Sequence, residues 1–242
     1  MTGTQLPLDP AERSSIIRDG LAVGLATGAY GISFGALSVT AGLDVLQTCA
    51  LSLLLFTGAS QFALVGVVAS GGAPLSGALT ALLLGSRNTL YGLRLAPLLD
   101  WHGWRRMTAA HLVIDESTAM SVNRESTSAA RVGFLSTGLA VFVLWNLATL
   151  GGALAGTALG DPRTFGLDAA VGGAFLALLW PRLTSVLNRV VGVAAVALAL
   201  GLVPVTTAGV PVLAAAVVAV VVGAASDRSP GRGARRRKGR HR

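Results

Sequence analysis

Long uncharged stretches, separated by short polar ones, dominate the pattern along the chain. Residues 20–43, 45–86, 132–160 and 190–226 contain no Asp, Glu, Lys or Arg. A membrane-spanning helix needs about 20 mainly apolar residues, so two of these stretches are long enough for more than one span. Lipid gives backbone groups no partner, and barrel strands are much shorter than these stretches. The pattern therefore predicts an all-α, polytopic membrane bundle of about six to eight hydrophobic segments.

Glycine and proline mark the places where these segments begin, end or break. Gly20, Gly24 and Gly28 recur every four residues, which predicts a smooth helix face for close packing against another helix, or beside a substrate path. The uncharged stretch that follows is interrupted at residues 57–61. Residues 74–99 predict one further segment. In the second half, prolines at 181, 204 and 211 are expected to end or kink the preceding helices.

A weak internal repeat predicts how the domain is organised. The tripeptide at residues 42–44 recurs at residues 166–168, which suggests repeats over residues 20–99 and 132–225. The polar connector between them, residues 100–131, is expected to lie mostly outside the lipid. Halves with an odd number of crossings would be inverted, and transporters of that kind bind substrate where both halves are interrupted. The matching interruptions are at 58–61 and 181–182.

Composition and charge narrow the class further. Only 12% of residues are charged, about half the usual share, and the mean hydropathy is +0.67, which excludes a soluble globular protein. The net charge is +8, and residues 228–242 carry eight of the 19 basic residues, so the body is neutral. A basic cluster after the last segment is typical of a cytoplasmic end rather than of nucleic-acid binding. We therefore predict one transmembrane domain over residues 1–226, a basic, disordered tail over 227–242, and both termini in the cytoplasm.

The interruption at Gly58, Ser60 and Gln61 is the first candidate site. A hydroxyl and an amide within an apolar stretch are costly unless they are hydrogen-bonded. These groups could hold a broken helix together or could bind the charged ends of a zwitterion.

Arg87 is the second candidate, because it is the fourteenth residue of the segment 74–99 and so lies near its middle. Ionisable groups inside a membrane usually mark functional sites. Arg87 is expected to pair with a carboxylate, either that of a substrate or that of Asp115 or Glu116. Arg94 lies closer to the segment end and could reach the interface.

The third candidate is the polar cluster of His111, Asp115 and Glu116. His111 and Asp115 are four residues apart and would share one face of a continuous helix. Proton coupling through either carboxylate is one hypothesis, and a solvated charged segment is another. Two ligands do not make a metal site, and the sequence contains no P-loop, catalytic triad spacing or cysteine cluster. We predict neither a cofactor nor a metal.

Several of these motifs resemble the signature blocks of the AzlC family. The blocks are FTGASQFA at 56–63, RNTLYG at 87–92 and DES at 115–117, with YGISFG at 30–35 similar to the first-helix pattern. The resemblance implies the large subunit of a branched-chain amino acid exporter in the bacterial inner membrane, which works with a small hydrophobic subunit of the AzlD family. The chain has Gly85 and Asn88 where the family often has Asn and His.

The resemblance and the polar residues together predict a secondary transporter that exports leucine, isoleucine, valine and also methionine, driven by a proton or voltage gradient. Substrate contacts are predicted at Gly58, Ser60, Gln61, Arg87, Asn88 and Tyr91, and ion pairing or coupling at Asp115 and Glu116. Two alternatives stay open: a membrane-embedded enzyme that uses Asp115, Glu116 and His111 as acid–base groups, and a structural subunit of a membrane complex.

Overall fold

A computed structural model describes residues 8–158 and 183–206, together with isolated positions between 176 and 222. The described part is helical throughout and contains no β-strand. In chain order the helices are α1 (Pro10–Gly28), α2 (Tyr30–Thr40), α3 (Val45–Leu54), α4 (Ala59–Ala69), α5 (Pro74–Gly85), α6 (Arg87–Leu99), α7 (Gly103–Ala110), α8 (Asp115–Val122), α9 (Thr127–Ala158) and α10 (Val186–Leu202). This architecture is consistent with the helical membrane bundle that the sequence predicts.

In the described part of the chain, three apolar segments, 10–40, 45–69 and 74–99, each consist of two shorter helices. Among the described residues, two stretches are long and apolar enough to cross a membrane: Pro10–Thr40, which changes helix at Ala29, and Thr127–Ala158. The predicted segment 74–99 is divided at Ser86 into α5 and α6. As a result, Arg87 is the first residue of α6 and not the middle of one helix.

Residues 100–131, expected as a connector mostly outside the lipid, are largely helical. They contain α7, α8 and the first turn of α9. Helix α8 packs against α9 in the opposite direction, with Met120 facing Gly133 and Ser117 facing Gly138. The polar side chains of this stretch suggested a connector. In the structure, α8 packs on α9 through small buried residues, Ser117, Thr118 and Ser121.

Glycines hold α1 and α2 against α9 along their whole length. Gly20, Gly24 and Gly28 are buried on α1. A Cβ at Gly24 would overlap Ala140, and one at Gly28 would lie 2.6 Å from the Cβ of Leu144. In helix pairs of this kind, small residues let the two backbones approach closely. Packing, rather than a substrate path, therefore accounts for the face that the four-residue spacing predicts.

The contacts between these three helices show that α1 and α2 run parallel to α9. Gly20 faces Thr137, Gly28 faces Leu144 and Gly35 faces Thr149, so both chains advance in the same direction. Much of residues 159–225 lies outside the described part of the chain, so the inverted repeats over 20–99 and 132–225 stay a prediction. The second interruption of that repeat, residues 181–182, lies outside the described residues, as does the tail.

The chain divides into two compact units, residues 1–174 and 175–242. In the second unit, Ser185 caps α10 by accepting a hydrogen bond from the backbone N–H of Asn188 at 3.1 Å. No described residue of α10 is buried.

The glycine interface generates a first prediction. A Cβ at Gly35 would overlap the carbonyl oxygen of Thr149 and lie 2.7 Å from the backbone N of Ala153. Gly35→Leu should therefore force the helices apart and lower the free energy of unfolding by about 1–3 kcal/mol. Thermal unfolding of the purified protein in detergent measures the effect.

Gly151→Leu is the matched control, because a Cβ at Gly151 in α9 meets nothing within 4 Å. It should unfold within about 1 kcal/mol of the wild type, since both substitutions act in a helix and only one meets the partner helix. Equal destabilisation by the two variants would contradict the packing described for α2 and α9.

Candidate functional site

The interruption between α3 and α4 places an unwound segment, residues 55–58, inside the bundle. Gly58 closes it with φ 62° and ψ −96°, a conformation that L-residues adopt only with strain. A Cβ there would meet nothing within 4 Å, so glycine is required by the backbone and not by crowding. The sequence predicted a broken helix here, and Gly58 explains how the chain makes it.

Breaking a helix releases backbone carbonyls, and side chains from other places satisfy them. The amide of Gln61 donates to the carbonyls of Leu51 at 3.3 Å and Ser52 at 3.2 Å, in the last turn of α3. His111 Nε2 lies 2.9 Å from the carbonyl oxygen of Leu53. Because a carbonyl only accepts, this ring nitrogen carries the proton.

Arg87 completes this set and links it to a second interruption. Its Nη2 lies 3.5 Å from the carbonyl oxygen of Thr57. Its Nη1 lies 3.1 Å from Oδ2 of Asp115, the first residue of α8. Both side chains of this ion pair are about three-quarters buried. Arg87 is therefore the point at which the unwound segment 55–58 meets the start of α6 and the start of α8.

The second interruption, residues 111–114, separates α7 from α8. Ser117 holds it: the hydroxyl accepts from the backbone N–H of Ile114 at 3.1 Å and donates to the carbonyl of Leu112 at 2.7 Å. His111 ends α7 and Asp115 begins α8, so the two do not share one helix face as a continuous helix would give. Instead, His111 contacts the carbonyl of Leu53 directly, whereas Asp115 pairs with Arg87.

Aromatic rings pack on both sides of the unwound segment 55–58. Phe56 packs edge-on against Phe142 at 5.1 Å, and His111 lies 6.1 Å from Phe56 and 5.5 Å from Phe142 between ring centroids. A second cluster surrounds the start of α4, where Phe62 packs edge-on against Phe34 at 5.5 Å and Trp145 at 6.1 Å. These rings fix the position of the unwound backbone and keep its surroundings apolar.

Several buried polar atoms around Arg87 have no hydrogen-bond partner within the described part of the chain. They are Ser60 Oγ, Gln61 Oε1, Asn88 Oδ1 and Arg87 Nε. Ser60 and Gln61 are fully buried, and Ser60 Oγ is the nearest atom to a Cβ built at Gly85, 3.5 Å away. Native proteins seldom leave buried polar atoms unsatisfied, so these atoms have hydrogen-bonding capacity that the described part of the chain does not use.

The remaining predicted residues lie close to this cluster in the chain. Tyr91 is half-buried and lies one turn beyond Arg87 on α6, and Glu116 is half-buried beside Asp115. Among the described residues, no group of three or more His, Cys, Asp or Glu side chains could hold a metal ion. The geometry thus brings together Gly58, Gln61, Arg87 and Asp115, and the roles of all the predicted site residues stay predictions.

Thr57 and the carbonyls of residues 51–53 are parts of the site that the sequence analysis did not identify. Backbone oxygens have no signature in a sequence. The sequence does contain a signal for the site, a glycine in an apolar stretch together with three side-chain donors, Gln61, Arg87 and His111. The carbonyl partners of these donors depend on the tertiary packing.

Comparison with known proteins gives a consistent picture. The family model described as "AzlC protein" matches residues 22–159, more than half of the chain. A Helicobacter pylori protein described as an uncharacterized membrane protein is 29% identical over 90 residues, which is 37% of this chain and 40% of that relative. The match thus spans well under half of the relative's length. No solved structure matches the chain.

The carbonyl contacts of Gln61 generate a second prediction. Gln61→Met keeps the side-chain length but removes both donors, which leaves buried carbonyls without their partner. The free energy of unfolding should fall by about 1–3 kcal/mol. Gln47→Met in α3 is the control, because it removes one exposed hydrogen bond, to the backbone N–H of Asp44, and should change stability by about 1 kcal/mol or less. Equal effects in thermal unfolding would show that Gln61 does not hold the interruption.

Proposed function

The chain belongs to the AzlC family of membrane proteins, and from that premise we propose that it is a secondary transporter that exports branched-chain amino acids. The substrates are leucine, isoleucine and valine, with methionine as a further one. The observation that carries the proposal is the convergence of interrupted helices on Arg87. AzlC is a transporter-type family, which also favours transport over catalysis.

Interrupted helices suit transport because they present backbone dipoles and polar side chains in the middle of an apolar bundle. Non-helical backbone at membrane depth is tolerated where it is buried in protein or lines a cavity. Many secondary transporters bind substrate and coupling ions at such discontinuous helices. The segments 55–58 and 111–114 meet this description: Arg87 contacts the first, and Gln61 and His111 contact the turn of α3 that precedes it.

The two charged ends of an amino acid find complementary groups here. Arg87 binds the carboxylate in place of Asp115, because a guanidinium holds a carboxylate through two parallel hydrogen bonds. The ammonium then takes the acceptors that the exchange leaves available, Asp115 and the buried Oε1 of Gln61. Ser60 and Asn88 contribute further polar atoms, and Tyr91 borders the site from the next turn of α6.

The exchange of Asp115 for a substrate carboxylate at Arg87 also provides a route for coupling export to a proton gradient. When the substrate displaces Asp115 from Arg87, the carboxylate of Asp115 can take up a proton, and Glu116 beside it is a second acceptor. Because the sequence contains no nucleotide-binding motif, a proton or voltage gradient is the proposed energy source. We further propose that the protein lies in the bacterial plasma membrane with both termini in the cytoplasm, and that it works with a small hydrophobic subunit of the AzlD type.

Efflux from preloaded vesicles tests the function and generates a third prediction. Proteoliposomes loaded with labelled leucine should release it when a gradient is applied, with and without the small subunit as separate arms. Arg87→Lys should lower the initial rate at least tenfold, because an ammonium cannot form the paired hydrogen bonds of a guanidinium. Arg94→Lys, an exposed position on the same helix, should keep the rate within about twofold.

Wild-type efflux by Arg87→Lys would overturn the proposed role of Arg87. Gradient-independent chemical conversion of an amino acid in detergent, abolished by Asp115→Asn, would favour the membrane enzyme instead. Efflux that requires only the small subunit would favour a structural role for this chain.

A further inference from the structure

A cleft of about 410 Å³ runs along α6 and faces α7, with Phe134 of α9 as part of its wall. Its inner end is at Asn88, the residue after Arg87. Its outer end is at Trp101, in the turn between α6 and α7. The cleft therefore connects the surroundings of the ion pair with the end of the bundle where α6 stops.

Part of the cleft wall is apolar and well packed. Leu95, Leu99 and Phe134 are at most 5% exposed. Their burial makes these walls a fixed surface rather than a set of loose side chains.

Small residues create the space between these walls. Gly92, Ala96 and Ala109 line the cleft, and a Cβ built at Gly92 meets nothing within 4 Å. Small-molecule sites are usually about 300–1,000 Å³, so the volume suits a ligand of the size of an amino acid.

Three polar residues line the cleft, Asn88, Thr89 and Arg106, and Asn88 is the one next to Arg87 in the chain. Asn88 Oδ1 is buried and has no hydrogen-bond partner in the described part of the chain. Apolar walls with the buried acceptor of Asn88 next to Arg87 match an aliphatic side chain that extends away from an ammonium and a carboxylate. A lipid acyl chain would use the apolar walls but would leave this acceptor unsatisfied.

We propose that this cleft is the side-chain pocket of the transported amino acid, with Asn88 accepting a hydrogen bond from the ammonium and the space beside Gly92 setting the size of the side chain. The inference rests on the proposed export of branched-chain amino acids and adds to it the determinant of selectivity. Leucine reaches one methylene further along the cleft than valine.

A graded series at Gly92 tests the pocket and is the fourth prediction. Gly92→Ala, Gly92→Val and Gly92→Leu fill the cleft step by step, and the open space beside Gly92 lets the first carbon enter without a clash. Equilibrium binding of leucine and of valine to the purified protein is measured by calorimetry. Because one methylene in a pocket changes affinity by about 10- to 200-fold, the preference for leucine over valine should fall at least tenfold across the series.

Gly151→Leu, a helical glycine with open space outside the cleft, is the matched control and should leave both affinities within about twofold of the wild type. Melting temperatures measured on the same samples identify variants that are merely unfolded. If the larger substitutions unfold the protein, the leucine-to-valine ratio of Gly92→Ala, the smallest change, is compared with that of the wild type. A ratio of affinities that stays constant along the series, or an equal loss of both ligands, would overturn the pocket.

The failure of the pocket and the failure of the proposed function are distinguishable. A wild type that binds and exports leucine, with Gly92 variants that keep its leucine-to-valine ratio, overturns the pocket alone. A wild type that neither binds nor exports any branched-chain amino acid overturns the proposed function and the pocket with it.

Discussion

Backbone carbonyls released inside an apolar bundle need hydrogen-bond donors, and this requirement explains the contacts around the interruption between α3 and α4. In lipid each unsatisfied group is destabilising by several kcal/mol, so a helix cannot stop at mid-depth unless other groups take over its hydrogen bonds. Gln61, Arg87 and His111 supply these donors from three different helices. Gln61 and His111 contact carbonyls in the last turn of α3, and Arg87 contacts a carbonyl in segment 55–58. Helices α4 and α6 and the C-terminus of α7 therefore meet at this interruption.

The same requirement explains how a charge is accommodated at this depth. Arg87 contacts both a backbone carbonyl and the carboxylate of Asp115, so its positive charge is partly neutralised and its hydrogen-bonding groups are used. These contacts are few enough to be exchanged, in contrast with the glycine interface of α1 and α2 against α9, where backbones touch directly. A rigid pair of long helices beside a set of interrupted ones is an arrangement in which the interrupted part can change conformation while the pair stays fixed.

Part of this architecture could be predicted from the sequence and part could not. Charge-free stretches predict a helical membrane bundle, and the glycine at 58 predicts an interruption, because both follow from local chemistry. The interruption at 111–114 carries neither glycine nor proline and is stabilised by Ser117, so it has no local signature. Residues 100–131 are largely helical, which the sequence did not indicate, because buried serines and threonines resemble a polar surface until their partner helix is known. The carbonyl partners of Arg87 and His111 depend on tertiary packing alone.

A double-mutant cycle on Arg87 and Asp115 tests most directly whether this ion pair joins the interrupted helices. The free energy of unfolding is measured for the wild type, Arg87→Gln, Asp115→Asn and the double variant in the same detergent. Either single change leaves a partly buried charge without its partner, whereas the double change removes both charges. The structure predicts that the double variant is more stable than the sum of the two single effects by about 1–3 kcal/mol. Additive effects, within about 0.5 kcal/mol, would contradict the pairing on which the proposed site depends.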